Sequence, residues 1–150
     1  MVDSGFELGT DGPRTMLVGI DGSHTSMRAA AYAAGMARRQ GVHLIGLYVQ
    51  PTTSASVQAV AATAGALIEA PEDITADLRK SFDDGVERLG LSAQFEVRSG
   101  NPYKALIAVA KEFRVDAIVI GASTQAGYKL VGSLASRLVK DAAWPVTVVP

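Results

Sequence analysis

Short apolar runs alternate along this chain with longer stretches whose apolar positions recur every three or four residues, the pattern of strands interleaved with helices. Residues 15–20 (TMLVGI), 42–49 (VHLIGLYV) and 116–121 (DAIVIG) lack polar alternation, which predicts strands covered on both faces of a sheet. Residues 93–98 do alternate, Ala93, Phe95 and Val97 against Gln94, Glu96 and Arg98, as an edge strand half open to water does. A fifth strand is predicted at Val146, Thr147, Val148 and Val149, a β-branched run after Trp144-Pro145 with only Pro150 beyond.

Each gap between these strands holds a helical pattern. Residues 26–40 are alanine-rich (Ala29, Ala30, Ala31, Ala33, Ala34, Ala37), with Arg38 and Arg39 in the last turn and Gly41 as the stop, a small-residue face that packs close to a sheet. After Pro71-Glu72, one face carries Ile74, Leu78, Phe82, Val86 and Leu89 up to Gly90. Asn101-Pro102 reads as an N-cap followed by proline in the first helical position, with Leu106, Val109, Ala110 and Phe113 as the buried stripe. Gly132-Ser133 opens the last helix, in which Leu134, Leu138 and Val139 share a face. Residues 1–13 read as a flexible leader before a single domain over 14–150. Residues 52–70, low in charge and poorly periodic, fit either a loose surface excursion or a flap over a ligand crevice.

Strand, helix and strand in regular succession, joined by right-handed crossovers, define an α/β fold: one doubly wound, five-stranded parallel sheet of order 3-2-1-4-5 with helices on both faces. In that order the first and fourth strands are neighbours where the winding reverses, and a crevice opens beyond their C-terminal tips. Asp21 and Gly121 stand at those tips.

Composition narrows the function without naming it. The 150 residues suit one domain, and 48% hydrophobic against 19% charged residues is globular. A net charge of -1 gives no electrostatic case for nucleic acid or an anionic membrane. With no cysteine there is no disulfide, thiol nucleophile or cysteine-held metal. The N-terminal stretch lacks the basic start and apolar core of a secretory signal, and no segment approaches the ~20 apolar residues of a membrane span, so a cytoplasmic location is expected.

The chemistry gathers at the crevice. A carboxylate at position 21 suits a ribose hydroxyl, or Mg²⁺ beside phosphates; equally, Asp21 fits a turn residue accepting backbone N–H bonds from Ser23 or His24. Beyond the fourth strand, Gly121, Gly127 and Gly132 lead into a helix start, where close backbone approach and unpaired N–H donors favour a phosphate. Gly132-Ser133 also reads simply as a loop glycine and an N-cap serine, and Lys129 as solvated surface or a phosphate contact. His24 and His43 fall at opposite ends of the sheet and cannot share a metal, and no serine–histidine–carboxylate grouping stands out.

These segments together, Val18-Gly19-Ile20-Asp21-Gly22-Ser23, the stretch from Gly121 to Ser133, and Pro145-Val146-Thr147-Val148-Val149-Pro150, resemble the universal stress protein family over nearly the whole chain. The resemblance implies the five-stranded parallel fold and, as in many members, ATP bound through Gly-x-x-Gly-x9-Gly-Ser/Thr. It carries site roles to Asp21, to the backbone of Tyr48 beside adenine, and to Gly121, Ala122, Thr124, Gly132 and Ser133 along the phosphate loop, with Mg²⁺ accompanying the nucleotide. It also implies a homodimer through Val146, Thr147, Val148 and Val149. The sequence departs from the motif twice: Thr124 stands at the second glycine, and only residues 125–131 separate it from Gly132, two fewer than the pattern. Two functions therefore stay open. One is a stress-response protein binding ATP or another adenine nucleotide, with at most slow hydrolysis. The other is a nucleotide-independent dimeric interaction module that works through protein partners.

Overall fold

The computed structural model describes residues 13–52, 74–123 and 132–150. The predicted leader apart from Pro13, most of segment 52–70, Thr124 and Lys129 lie outside the described residues. Strands β1 (Thr15–Gly19), β2 (His43–Gln50), β3 (Ala93–Ser99), β4 (Ala117–Gly121) and β5 (Val146–Val149) alternate with helices α1 (His24–Gln40), α2 (Thr75–Leu89), α3 (Pro102–Glu112) and α4 (Ser133–Asp141). The strands form one sheet in the order β3-β2-β1-β4-β5. All four pairings are parallel. The α/β architecture and strand order are those that the periodicity predicts.

Alternation along the buried strands divides the core into two layers. Met16, Val18, Leu44, Tyr48, Phe95 and Val119 face one side and meet Ala29, Ala33 and Ala37 of α1 and Leu78 of α2. Leu17, Ile45, Leu47, Ile118 and Ile120 face the other and meet Leu106, Val109 and Ala110 of α3 and Ala135 and Leu138 of α4. The alanine face of α1 is buried almost completely, with Ala29 and Ala33 at 0% exposure, because no side chain longer than a methyl holds it off the sheet.

Two helix starts differ from the sequence reading. Helix α1 begins at His24, not Ser26, because the Ser23 side chain accepts the Ser26 N–H and caps it. Helix α4 has Gly132 as its N-cap with no side-chain cap, so Ser133 is the first helical residue and not the cap. Asn101 does cap α3, accepting the Lys104 N–H at 3.1 Å, with Pro102 following. On α4 the expected buried face is corrected at one position: Ala135 and Leu138 are buried, whereas Val139 is 56% exposed. Successive helical residues point about 100° apart, so Leu138 and Val139 cannot both face the sheet.

The two sheet edges differ in character. On β3, Glu96 and Arg98 pair at 2.7 Å, and Arg98 reaches Glu112 of α3 at 3.0 Å, a charged ladder that discourages pairing with another chain. Strand β5, Val-Thr-Val-Val, carries no charge.

Candidate functional site

The parallel register Met16↔Ala117, Leu17↔Ile118 and Val18↔Val119 brings the C-terminal tips of β1 and β4 side by side. The chain leaves β1 for α1 on one face of the sheet and β4 for α4 on the other, so the tips part and a cleft of about 420 Å³ opens between them. Its lining comes from Gly19–Asp21 and the first turn of α1, from Leu47 and Val49 of β2, from Pro102 and Leu106 of α3, and from 120–123 and 132–135. The volume lies within the range of about 300–1,000 Å³ that small-molecule sites occupy.

Asp21 stands at the mouth, exposed, and both sequence readings of it meet there. Its Oδ1 accepts the Ser23 N–H at 2.8 Å, which makes the Asp-Gly-Ser turn, while the residue also lines the cleft. Partial burial pushes the carboxyl up, but the hydrogen bonds from the Ser23 hydroxyl and N–H outweigh it and hold the group below its ordinary value. Asp21 is thus a carboxylate at any physiological pH.

A hydroxyl chain ties this turn to β4. Asp21 N–H donates to Ser26 Oγ at 3.2 Å, and the Ser26 hydroxyl donates to the Ser23 carbonyl at 3.0 Å. The Thr25 hydroxyl lies 3.4 Å from Ser23 Oγ and donates to the Ala122 carbonyl at 2.7 Å. Thr25 and Ser26, buried at 9% and 4% exposure, were not singled out by sequence reasoning. The signal for them was the run Ser23-His24-Thr25-Ser26 directly after the Asp-Gly turn.

Gly121 and Gly132 serve packing. A Cβ on Gly121 would sit 2.5 Å from Thr25 C and 2.6 Å from Ser26 N, so the absent side chain is what lets the start of α1 lie against the end of β4. A Cβ on Gly132 would sit 2.7 Å from Ser123 Cβ, so the absent side chain lets residues 123 and 132 approach closely. Ala122 lines the cleft, but its N–H donates to the Val149 carbonyl at 2.8 Å and its carbonyl accepts from Thr25, so it brings no backbone donor. The N-cap of α4 is Gly132, which has no side chain to accept a first-turn N–H, and Leu134 and Ala135 line the cleft beside Ser133.

Asp21, Gly121, Ala122, Gly132 and Ser133 therefore come together around one cleft. Tyr48 is not among the lining residues, whereas its neighbours Leu47 and Val49 are; its side chain is buried at 7% exposure in the α1/α2 layer, which does not bear on the backbone contact expected of it. His43 sits at the other end of the sheet, its ring nitrogens 2.7 Å from Ser92 Oγ and 3.0 Å from Gln94 Oε1. Among the described residues, no group of three or more His, Asp or Glu side chains is placed to hold a metal ion, and no helix is long and apolar enough to cross a membrane.

In doubly wound parallel α/β domains ligands settle in the crevice at the switch point, and the cleft of this chain lies there, with both polar and apolar walls. Residues 13–150 match the family model described as the universal stress protein family, and the chain belongs to that family. It is similar to a universal stress protein of Methanocaldococcus jannaschii, 25% identical over 138 residues that cover 91% of this chain and 81% of the relative. Among solved structures, a universal stress protein in complex with cAMP aligns with a TM-score of 0.67 at 24% identity, covering 93% of this chain and 98% of that one. An Arabidopsis thaliana family protein with AMP bound aligns with a TM-score of 0.64 at 18% identity, covering 91% of each chain.

Proposed function

We propose that this chain is a stress-response protein that binds an adenine nucleotide in the β1/β4 cleft. The observation that carries the reading is the composition of that cleft. An ionised carboxylate stands at one wall, the glycine-capped start of α4 at another, and Leu47, Val49 and Leu106 supply apolar surface for a base. Such a lining suits a ligand with a flat apolar ring, a hydroxylated sugar and a phosphate. The cAMP and AMP carried by two relatives of the same fold support this choice of ligand. ATP with Mg²⁺ belongs to the same reading as the fuller form of the ligand, and Asp21 is the carboxylate that would face the ion.

The test is thermal unfolding with and without nucleotide. A ligand that binds only the folded chain stabilises it by about 2.7 kcal/mol at a hundredfold excess over Kd, so a clear rise in Tm with AMP, cAMP or ATP is expected. An unchanged Tm with all three at millimolar concentration refutes the reading.

A second reading rests on a separate observation. The β5 edge is short, β-branched and without charge, whereas the β3 edge is guarded by Glu96 and Arg98. An unguarded edge of this kind favours antiparallel pairing with a second copy across a two-fold axis. The homodimer through Val146, Thr147, Val148 and Val149 is compatible with nucleotide binding, and it would be the whole function if the cleft bound none.

A further inference from the structure

We infer that Ser92 is an activated hydroxyl, with His43 as its general base, that takes an acyl group from small activated esters. The site lies at the N-terminal end of the sheet, away from the β1/β4 cleft, and is independent of the nucleotide reading.

Sheet register builds the site. Ile45 pairs with Gln94, and side chains two apart share a face, so His43 and Gln94 project from the same side of adjacent strands. Backbone bonds pin both strands there: the Leu44 N–H donates to the Ser92 carbonyl at 2.9 Å and the His43 N–H to the Arg14 carbonyl at 2.9 Å. The bond pattern then fixes the imidazole tautomer. Arg98 holds Glu96 at 2.7 Å; burial would raise the Glu96 carboxyl, but the bonds from Arg98 and Gln94 outweigh it and keep the group ionised. A carboxylate only accepts, so the Gln94 atom 2.8 Å from Glu96 Oε1 is the amide nitrogen, and the oxygen of that amide faces His43 Nε2 at 3.0 Å. Nε2 therefore carries the ring proton, and Nδ1 offers its lone pair to the Ser92 hydroxyl, 2.7 Å away. A nucleophile, a base within hydrogen-bond reach and a third group orienting that base form the arrangement that activates a serine. Ser92 is exposed and His43 half-buried, so an ester reaches the hydroxyl while the imidazole stays packed. In the reaction Ser92 Oγ attacks the acyl carbon and its proton passes to His43 Nδ1. The bond to the leaving alkoxide or phenolate breaks, that group takes the proton from the imidazole, and a serine ester and an alcohol result.

The test is brief treatment of the full chain with p-nitrophenyl acetate, an acid quench, and location of the acetyl groups by peptide mass spectrometry. Ser99, exposed on β3 and 3.4 Å from Gln50 Oε1 rather than beside an imidazole, is the internal control. Acetylation of Ser92 is expected to run at least about tenfold faster than that of Ser99, short of the roughly 10²–10⁴-fold that a positioned base gives in a complete active site. His43→Gln should bring Ser92 down to the Ser99 rate. Long-range proton–nitrogen NMR spectra of the wild type should place the His43 ring proton on Nε2. Equal rates at the two serines, or a ring proton on Nδ1, overturn the assignment without recourse to any variant. A Ser92 rate unchanged in a His43→Gln chain that unfolds like the wild type overturns it as well.

Discussion

Replacing Gly121 by alanine separates a packing role for this glycine from a ligand-contact role. The new Cβ would stand 2.5 Å from Thr25 C, 2.6 Å from Ser26 N and 2.7 Å from Thr25 O, all of them backbone atoms. Carbon atoms in contact lie about 3.5–4.0 Å apart, so the first turn of α1 must retreat from β4 by roughly 1 Å, since no side chain can rotate away. That retreat strains the 2.7 Å bond from Thr25 to the Ala122 carbonyl and loosens the fit of α1 against the sheet. Overpacking of a close-packed site costs about 1–3 kcal/mol, and the involvement of backbone puts this case at about 2–3 kcal/mol. For a domain of this size the corresponding fall in Tm is about 4–12 °C. The assay is urea and thermal unfolding followed by far-ultraviolet circular dichroism, without nucleotide. Gly85→Ala serves as the control: Gly85 lies within α2 with nothing within 4 Å of its missing Cβ, so alanine there should stabilise by about 0.5–1 kcal/mol. If Gly121→Ala unfolds at the wild-type urea concentration and only nucleotide binding changes, the packing argument is wrong and the glycine is there for the ligand.

Three further outcomes are expected. Ser23→Ala removes the cap of α1 and a hydrogen-bond donor to Asp21, so it should cost about 1 kcal/mol in urea unfolding and move the Asp21 carboxyl upward toward its ordinary value, read by NMR titration. Because the folded-state value of Asp21 lies below the unfolded 3.8, its contribution to stability is full above that pH and is lost as pH falls through the folded value. Unfolding of Asp21→Asn should therefore be less acid-dependent than wild type below pH of about 4, by a small amount because the group is exposed; identical pH profiles would contradict this. Sedimentation velocity should find the wild type dimeric and Thr147→Lys, an exposed change on β5, shifted toward monomer; a monomeric wild type rules out the β5 dimer.

Much of the architecture was legible because parallel strands buried on both faces leave unbroken apolar runs, and glycine, proline and asparagine punctuate the ends of their helices. The juxtaposition of Asp21 with Gly121 followed from strand order alone, since the tips of β1 and β4 must be neighbours in a 3-2-1-4-5 sheet. What sequence could not supply was contact between distant segments. Nothing local to Gly121 says that Thr25 and Ser26 cross its α-carbon, so its glycine read as an opening for a ligand. The hydroxyl of Thr25 and the amide of Ala122 were invisible for the same reason, their partners lying 97 and 27 residues away at Ala122 and Val149. Val139 was misassigned because alanine carries a weak apolar signal: Ala135, not Val139, completes the buried face of α4 with Leu138.

The central claim, that an adenine nucleotide occupies the β1/β4 cleft, is tested most directly by recording amide chemical shifts of the labelled protein during titration with AMP. The account predicts saturable shifts concentrated at residues 19–26, 120–123 and 132–135, the walls of the cleft. Shifts centred on another face of the sheet, or none at millimolar AMP, would contradict it.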